Sequence, residues 1–172
     1  MADTPVFRRR YSCRRFARTT LHRTMLEQVL EAAVWAPSAG NLQPWRFIVV
    51  TSDELKERLA AAAHQEFVAE APVVIVVCAV PGESARRYGE RGRSLYSLQD
   101  TAAATQNILL AAAELGLGSC WVGAFEERAA ATALGLSPAW RPVALVPVGH
   151  PLETATARER RPMQDVVLFR SG

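Results

Sequence analysis

The chain has 172 residues, 49% of them apolar and 22% charged, with a formal net charge of +3. That is enough for one soluble domain to bury a core without disulfides or metal, and so modest a charge does not call for a surface-wide nucleic-acid interface. Cys13, Cys78 and Cys120 are odd in number and far apart, which points away from a disulfide framework or a zinc site and toward a reducing, cytoplasmic setting.

Residues 1–5 lead into arginines with no apolar segment of a secretion signal, and no stretch approaches the length of a membrane span. Arg8, Arg9, Arg10, Arg14, Arg15, Arg18 and Arg23 follow with no acid between Asp3 and Glu27, so the positive charge is local and suggests an anion site. Within this arm, Arg10-Tyr11-Ser12-Cys13-Arg14 offers two guanidinium groups and a hydroxyl, the donors that suit a phosphate; a solvated basic arm is the plainer reading. Leu26, Val29, Leu30, Ala33 and Val34 then recur at helical spacing, predicting a helix from an N-cap at Thr24 to about residue 36.

Residues 36–47, Ala-Pro-Ser-Ala-Gly-Asn-Leu-Gln-Pro-Trp-Arg-Phe, close that helix and open a strand with small and amide residues instead of surface charges. Pro37 and Pro44 fix φ at both ends, and Gly40 permits a left-handed turn. Ser38, Asn41 and Gln43 supply hydrogen-bonding groups, either for a flat ligand or for their own backbone.

A short strand over 47–50 precedes a helix capped by Ser52 and Asp53 and running to residue 63. Residues 73–80 form an unbroken apolar run behind Pro72, which predicts a strand buried on both faces between helical layers. Residues 81–97 read as a loop or short mobile helix. A long, alanine-rich central helix spans 100–115, Gly116-Leu117-Gly118 ends it, 119–125 return as a strand, 126–134 form a short helix, and 143–149 form the last core strand. The alternation makes the class α/β or α+β in one layered domain, residues 1–172, with 151–172 a C-terminal extension whose apolar 166–169 segment packs on another subunit. Gly116 to Gly123 is not a dinucleotide fingerprint, because it follows a helix and opens a strand.

Taken together, Arg10-Tyr11-Ser12-Cys13-Arg14-Arg15-Phe16, the 36–47 loop, Gln106-Asn107, residues 116–123 and Arg160-Arg161-Pro162 resemble the nitroreductase family of FMN-dependent oxidoreductases, in the same order from about residue 6 to 167. The resemblance implies an α+β fold, a central and mainly antiparallel sheet flanked by helices, in an intertwined homodimer with FMN at the subunit interface. It assigns Arg10, Ser12 and Arg14 to the FMN phosphate and ribityl chain, with Arg160 closing on the phosphate again. Pro37, Ser38, Ala39 and Asn41 would meet the flavin ring from the partner subunit, and the Gly123 and Ala124 amides would lie near flavin N5. Two departures stand out. The lysine that larger relatives place near flavin N1 and O2 is replaced by the 64–68 stretch, where Gln65 is the available donor, and the 81–97 segment is shorter than many relatives' lid.

His22, His64 and His150 have no matching acid and nucleophile, so no residue set for covalent or acid–base catalysis stands out. A flavin supplies its own hydride chemistry and needs none. The function implied is hydride transfer from NAD(P)H through FMN to nitroaromatic, quinone or similar acceptors by a ping-pong mechanism, with no nucleic-acid or membrane partner. The alternatives are dehydrogenation, dehalogenation or flavin fragmentation on the same fold, a non-catalytic flavin-binding module, or an RNA-binding protein built on the 8–23 arm.

Overall fold

The computed structural model describes residues 4–154 and 158–170. A single turn, α1 (Val6–Arg9), leads through an extended segment to α2 (Arg23–Val34), and a loop holding a 3-10 turn at Ala39–Asn41 enters β1 (Trp45–Val50). There follow α3 (Asp53–Ala63), the short α4 (Phe67–Glu70), β2 (Val73–Ala79), α5 (Pro81–Arg91) and α6 (Ser97–Glu114). The chain then forms β3 (Gly118–Ser119), α7 (Glu127–Ala133), β4 (Arg141–Gly149) and a final 3-10 turn at Met163–Asp165.

The four strands lie in the order β1-β2-β4-β3, and every pairing is antiparallel. The fold is therefore α+β. All of β2 is buried, and its alternation assigns each residue to a layer. Val73, Ile75 and Val77 join Ala144, Val146 and Val148 of β4 against Val29 and Ala33 of α2 and Ala104, Ile108 and Ala112 of α6. Val74, Val76 and Cys78 join Leu145 against Leu59 and Ala60 of α3, Val68 of α4 and Ala130 of α7 on the other face. No helix among the described residues is long and apolar enough to cross a membrane.

Several sequence expectations shift. Thr24 is not the cap of α2; His22 is, its ring accepting from the Thr24 amide. Residues 81–97 take the helical of the two expected forms: α5 starts with Pro81 in the first turn, kinks at Gly89 (φ 56°) and passes through a π turn at Gly92–Tyr96 directly into α6. The path of this helix depends on close packing, because a Cβ on Gly92 would clash with the Ser84 carbonyl oxygen. The strand expected over 119–125 shrinks to Gly118–Ser119 and one isolated bridge from Val122 to Leu145.

Lys56, the chain's single lysine, is 5% exposed. Its Nζ donates to the Ala71 carbonyl at 2.9 Å, tying α3 to the entrance of β2, and pairs with Asp53 at 2.9 Å. Lys56 holds the Asp53 carboxyl below its usual range, but Asp53 is solvated and screening leaves that pair little weight. The buried bond to Ala71 carries the clip. Lys56→Met keeps the stem and orphans that carbonyl, so urea denaturation is expected to show a loss of roughly 1.5–3 kcal/mol, the range for a hydrogen bond to a charged group. An unchanged midpoint would assign the clip no role.

Candidate functional site

The basic arm becomes a cradle because residues 10–17 are pinned as an extended edge. Ser12 bridges Ser119 in parallel, the Cys13 amide donates to the Ser119 carbonyl at 2.9 Å, and the Ala17 amide to the His150 carbonyl at 2.8 Å. Cys13 turns inward to a small cluster with Phe16 and Ala71. Its neighbours Ser12 and Arg14 then fall on the opposite side of the extended chain and line a cavity of ≈ 750 Å³ with Arg8, Arg9, Arg10, Tyr11, Arg158 and Arg160.

Among the described residues, Glu153 is the one acid lining this cavity. It is already engaged: its Oε1 accepts the Arg14 amide at 2.7 Å, and its carbonyl accepts the Tyr11 hydroxyl at 2.8 Å. Burial, followed by the neighbouring Cys13, pushes the Tyr11 phenol up to about 12, so it remains a donor. Arg14 lies over the Phe67 ring at 5.7 Å, and Arg9 is paired with Glu114 of α6. Arg160 is folded onto its own backbone, donating to the Arg158 and Glu159 carbonyls at 3.2 and 3.1 Å. Burial pushes the Cys120 thiol up, and the nearby Arg14, Ser12 and Arg10 oppose that shift without reversing it.

Of the residues expected at the site, Arg10, Ser12, Arg14 and Arg160 converge on this cavity, whereas the others lie elsewhere. The loop that carries Pro37, Ser38, Ala39 and Asn41 enters β1 at one edge of the sheet, while the cradle sits on β3 at the opposite edge. Three strand spacings, about 14 Å, separate the two edges. Ser38 Oγ accepts the Gln43 amide at 3.0 Å, and Gln43 Nε2 donates to Asn41 Oδ1 at 3.3 Å, so these polar side chains shape the loop itself. At Gly40 (φ 58°) a Cβ would lie 2.6 Å from Tyr88 Oη and 2.8 Å from the Arg87 guanidinium, so a side chain there would displace the ends of both and take up a left-handed backbone.

Gly123 and Ala124 are exposed beyond the Val122 bridge, and neither amide meets an acceptor among the described residues. Gln65 is half-buried at the turn after α3, two residues before the Phe67 that lies under Arg14. Asp100 was not read from the sequence as a site residue. Its Oδ1 accepts the Ala39 amide at 3.0 Å, and the signal for it was an acid within an alanine-rich helix.

The nitroreductase family model matches residues 7–68 and 62–150. A protein of Archaeoglobus fulgidus, provisionally named as an NADH dehydrogenase/NAD(P)H nitroreductase, is 45% identical over 106 residues, covering 60% of this chain and 58% of that protein. The NADH dehydrogenase of Thermus thermophilus is 32% identical over an alignment that covers 98% of this chain and 96% of the relative. The crystal structure of a nitroreductase family protein from Clostridium novyi NT is 37% identical, with a TM-score of 0.77 over 85% of this chain and 83% of that one. The chain belongs to the nitroreductase family.

Gly118 lets the cradle dock. A Cβ at this position would lie 2.6 Å from Cys13 Sγ, 2.8 Å from Cys13 Cβ and 3.2 Å from Pro151. Gly118→Ala must therefore push the 10–16 segment off β3, with an overpacking cost of about 1–3 kcal/mol in urea denaturation. A midpoint equal to wild type would show that the segment accommodates the methyl group without leaving β3.

Proposed function

We propose that this NAD(P)H-dependent nitroreductase-type oxidoreductase holds FMN at the interface of a homodimer and reduces nitroaromatic, quinone or similar electron-poor acceptors by a ping-pong mechanism. The observation that carries the reading is the convergence of Arg10, Ser12, Arg14 and Arg160 on one cavity. Its donors are guanidinium groups and hydroxyls, and the one carboxylate among its described residues accepts the Arg14 amide. This set fits a phosphate monoester, for which guanidinium is a bidentate partner. FMN, when bound, would supply the redox chemistry by accepting a hydride from NAD(P)H and passing it to the acceptor.

The remaining steps belong to the chain. Arg10 and Arg14 hold the phosphate, Ser12 offers its hydroxyl beside it, and Arg160 swings from its own backbone carbonyls to close the cradle. The unpaired Gly123 and Ala124 amides are suited to hydrogen-bond the ring near N5, and Gln65 to donate near N1 and O2. The 37–41 loop lies at the far edge of the sheet, which supports its meeting the ring from a second copy. Leu168 (84% exposed) and Phe169 (87%) support the same arrangement, because a solvated monomer gains nothing from such a tail and a second subunit would cover it. The three buried, free cysteines support a reducing, cytoplasmic setting.

Arg10→Ala and Arg14→Ala are each expected to weaken FMN binding by roughly 1.5–3 kcal/mol, the range for a charge-assisted hydrogen bond. Fluorescence titration of the flavin-free protein measures this, and wild-type affinity in both variants would sink the phosphate assignment. As an obligate dimer, the protein should also melt at a temperature that rises with its concentration. Deleting residues 162–172 is expected to weaken dimerisation and release FMN together. A stable, flavin-bearing monomer in sedimentation would refute the interface.

A further inference from the structure

Asp100 stands out as a charge held inside the protein by very little. It is 6% exposed on α6, its Oδ1 accepts the Ala39 amide at 3.0 Å, and its buried Oδ2 has no partner among the described residues. It is not capping a helix end, because the chain enters α6 from the π turn and the Ser97 amide already donates to the Gly92 carbonyl. A buried carboxylate so sparsely bonded is unfavourable for folding in itself, and burial pushes its carboxyl above the usual range while the Ala39 amide pulls it back.

What Asp100 touches is a backbone under strain. Beyond Ala39, the loop turns left-handed at Gly40 (φ 58°), Asn41 (φ 56°) and Gln43 (φ 52°). Gly40 and Asn41 tolerate this conformation, but the Gln43 side chain disfavours it, and such geometry persists only where the surroundings over-determine it. Inside the loop, Ser38 and Gln43 bond only to the loop itself. From outside, Tyr88 and Arg87 of α5 close over Gly40, and Asp100 supplies the hydrogen bond from α6.

We infer that Asp100 is a positioning residue whose carboxylate clamps the Ala39 amide and thereby fixes the strained 38–43 loop in the shape it presents to the flavin ring. The role in flavin contact rests on the function proposed above, whereas the clamp itself is a property of the free chain. A neutral acceptor of the same shape weakens the clamp, because hydrogen bonds to ionised acceptors are about twice as strong as neutral ones.

The test is amide hydrogen exchange by NMR on the protein as purified, comparing wild type with Asp100→Asn and with Gln99→Ala, a control at the exposed neighbouring position. Asp100→Asn is expected to exchange about tenfold faster at Ala39 to Asn41, while the amides of β2 keep their wild-type rates. The visible circular dichroism of bound FMN is expected to change in the same variant and not in the control. Should Asp100→Asn fail to fold, Asp100→Glu displaces the acceptor while keeping the charge, and the same local acceleration is expected. Unchanged loop exchange, or equal acceleration in the loop and in β2, would overturn the clamp. A wild-type protein that takes up no FMN would instead overturn the flavin reading, and the exchange rates would still decide the clamp.

Discussion

The structure depends on the double burial of β2. A strand with both faces inside must have helices above and below it and a paired strand on each side, since an unpaired backbone amide in the core would lose a hydrogen bond with no water to replace it. Here β1 and β4 take the two sides, α2 and α6 cover one face, and α3, α4 and α7 cover the other. Once those surfaces are committed, only the outer edges of the sheet and the ends of the helices remain open to a ligand. The two functional segments occupy those places, the strained loop beside β1 and the basic cradle beside β3.

α6 is the rod that relates them. Asp100 near its start bonds to the loop, and Glu114 at its end pairs with Arg9 of the arm. Fourteen residues of helix set these points about 21 Å apart along a stiff element. Asn107, between them, donates to the Ala32 carbonyl at 2.8 Å and satisfies one of the orphaned carbonyls at the end of α2, where the loop begins. Loop and cradle are therefore held at a fixed separation within one chain.

Much of this was legible in the sequence, and what was not has identifiable causes. Unbroken runs of β-branched residues announced β2, and Ser52 announced the start of α3, because both signals are local. The basic arm was legible as a local concentration of positive charge, and the structure shows those arginines lining one cavity. The α5 segment was legible only as a loop or a short helix, since the packing of Gly92 on Ser84 and the π turn that set its path are contacts the sequence does not display. Capping by His22 in place of Thr24 turns on side-chain geometry that two adjacent polar residues leave ambiguous. Asp100 escaped because its significance lies in a contact 61 residues away.

The residues that usually carry reactivity have structural employment here. His22 caps α2, His64 ends α3 in a left-handed conformation, and the His150 carbonyl receives the Ala17 amide. The three thiols are buried and pushed up by desolvation, Cys78 to about 12, so none is a thiolate at neutral pH. Among the described residues, the buried side-chain atoms left without partners are the Arg9 Nε, the Ser84 Oγ and one oxygen of Asp100, while the exposed Gly123 and Ala124 amides meet no protein acceptor. The histidines and cysteines are thus spent on the fold, and the density of guanidinium at the cradle suits that cavity to an anion.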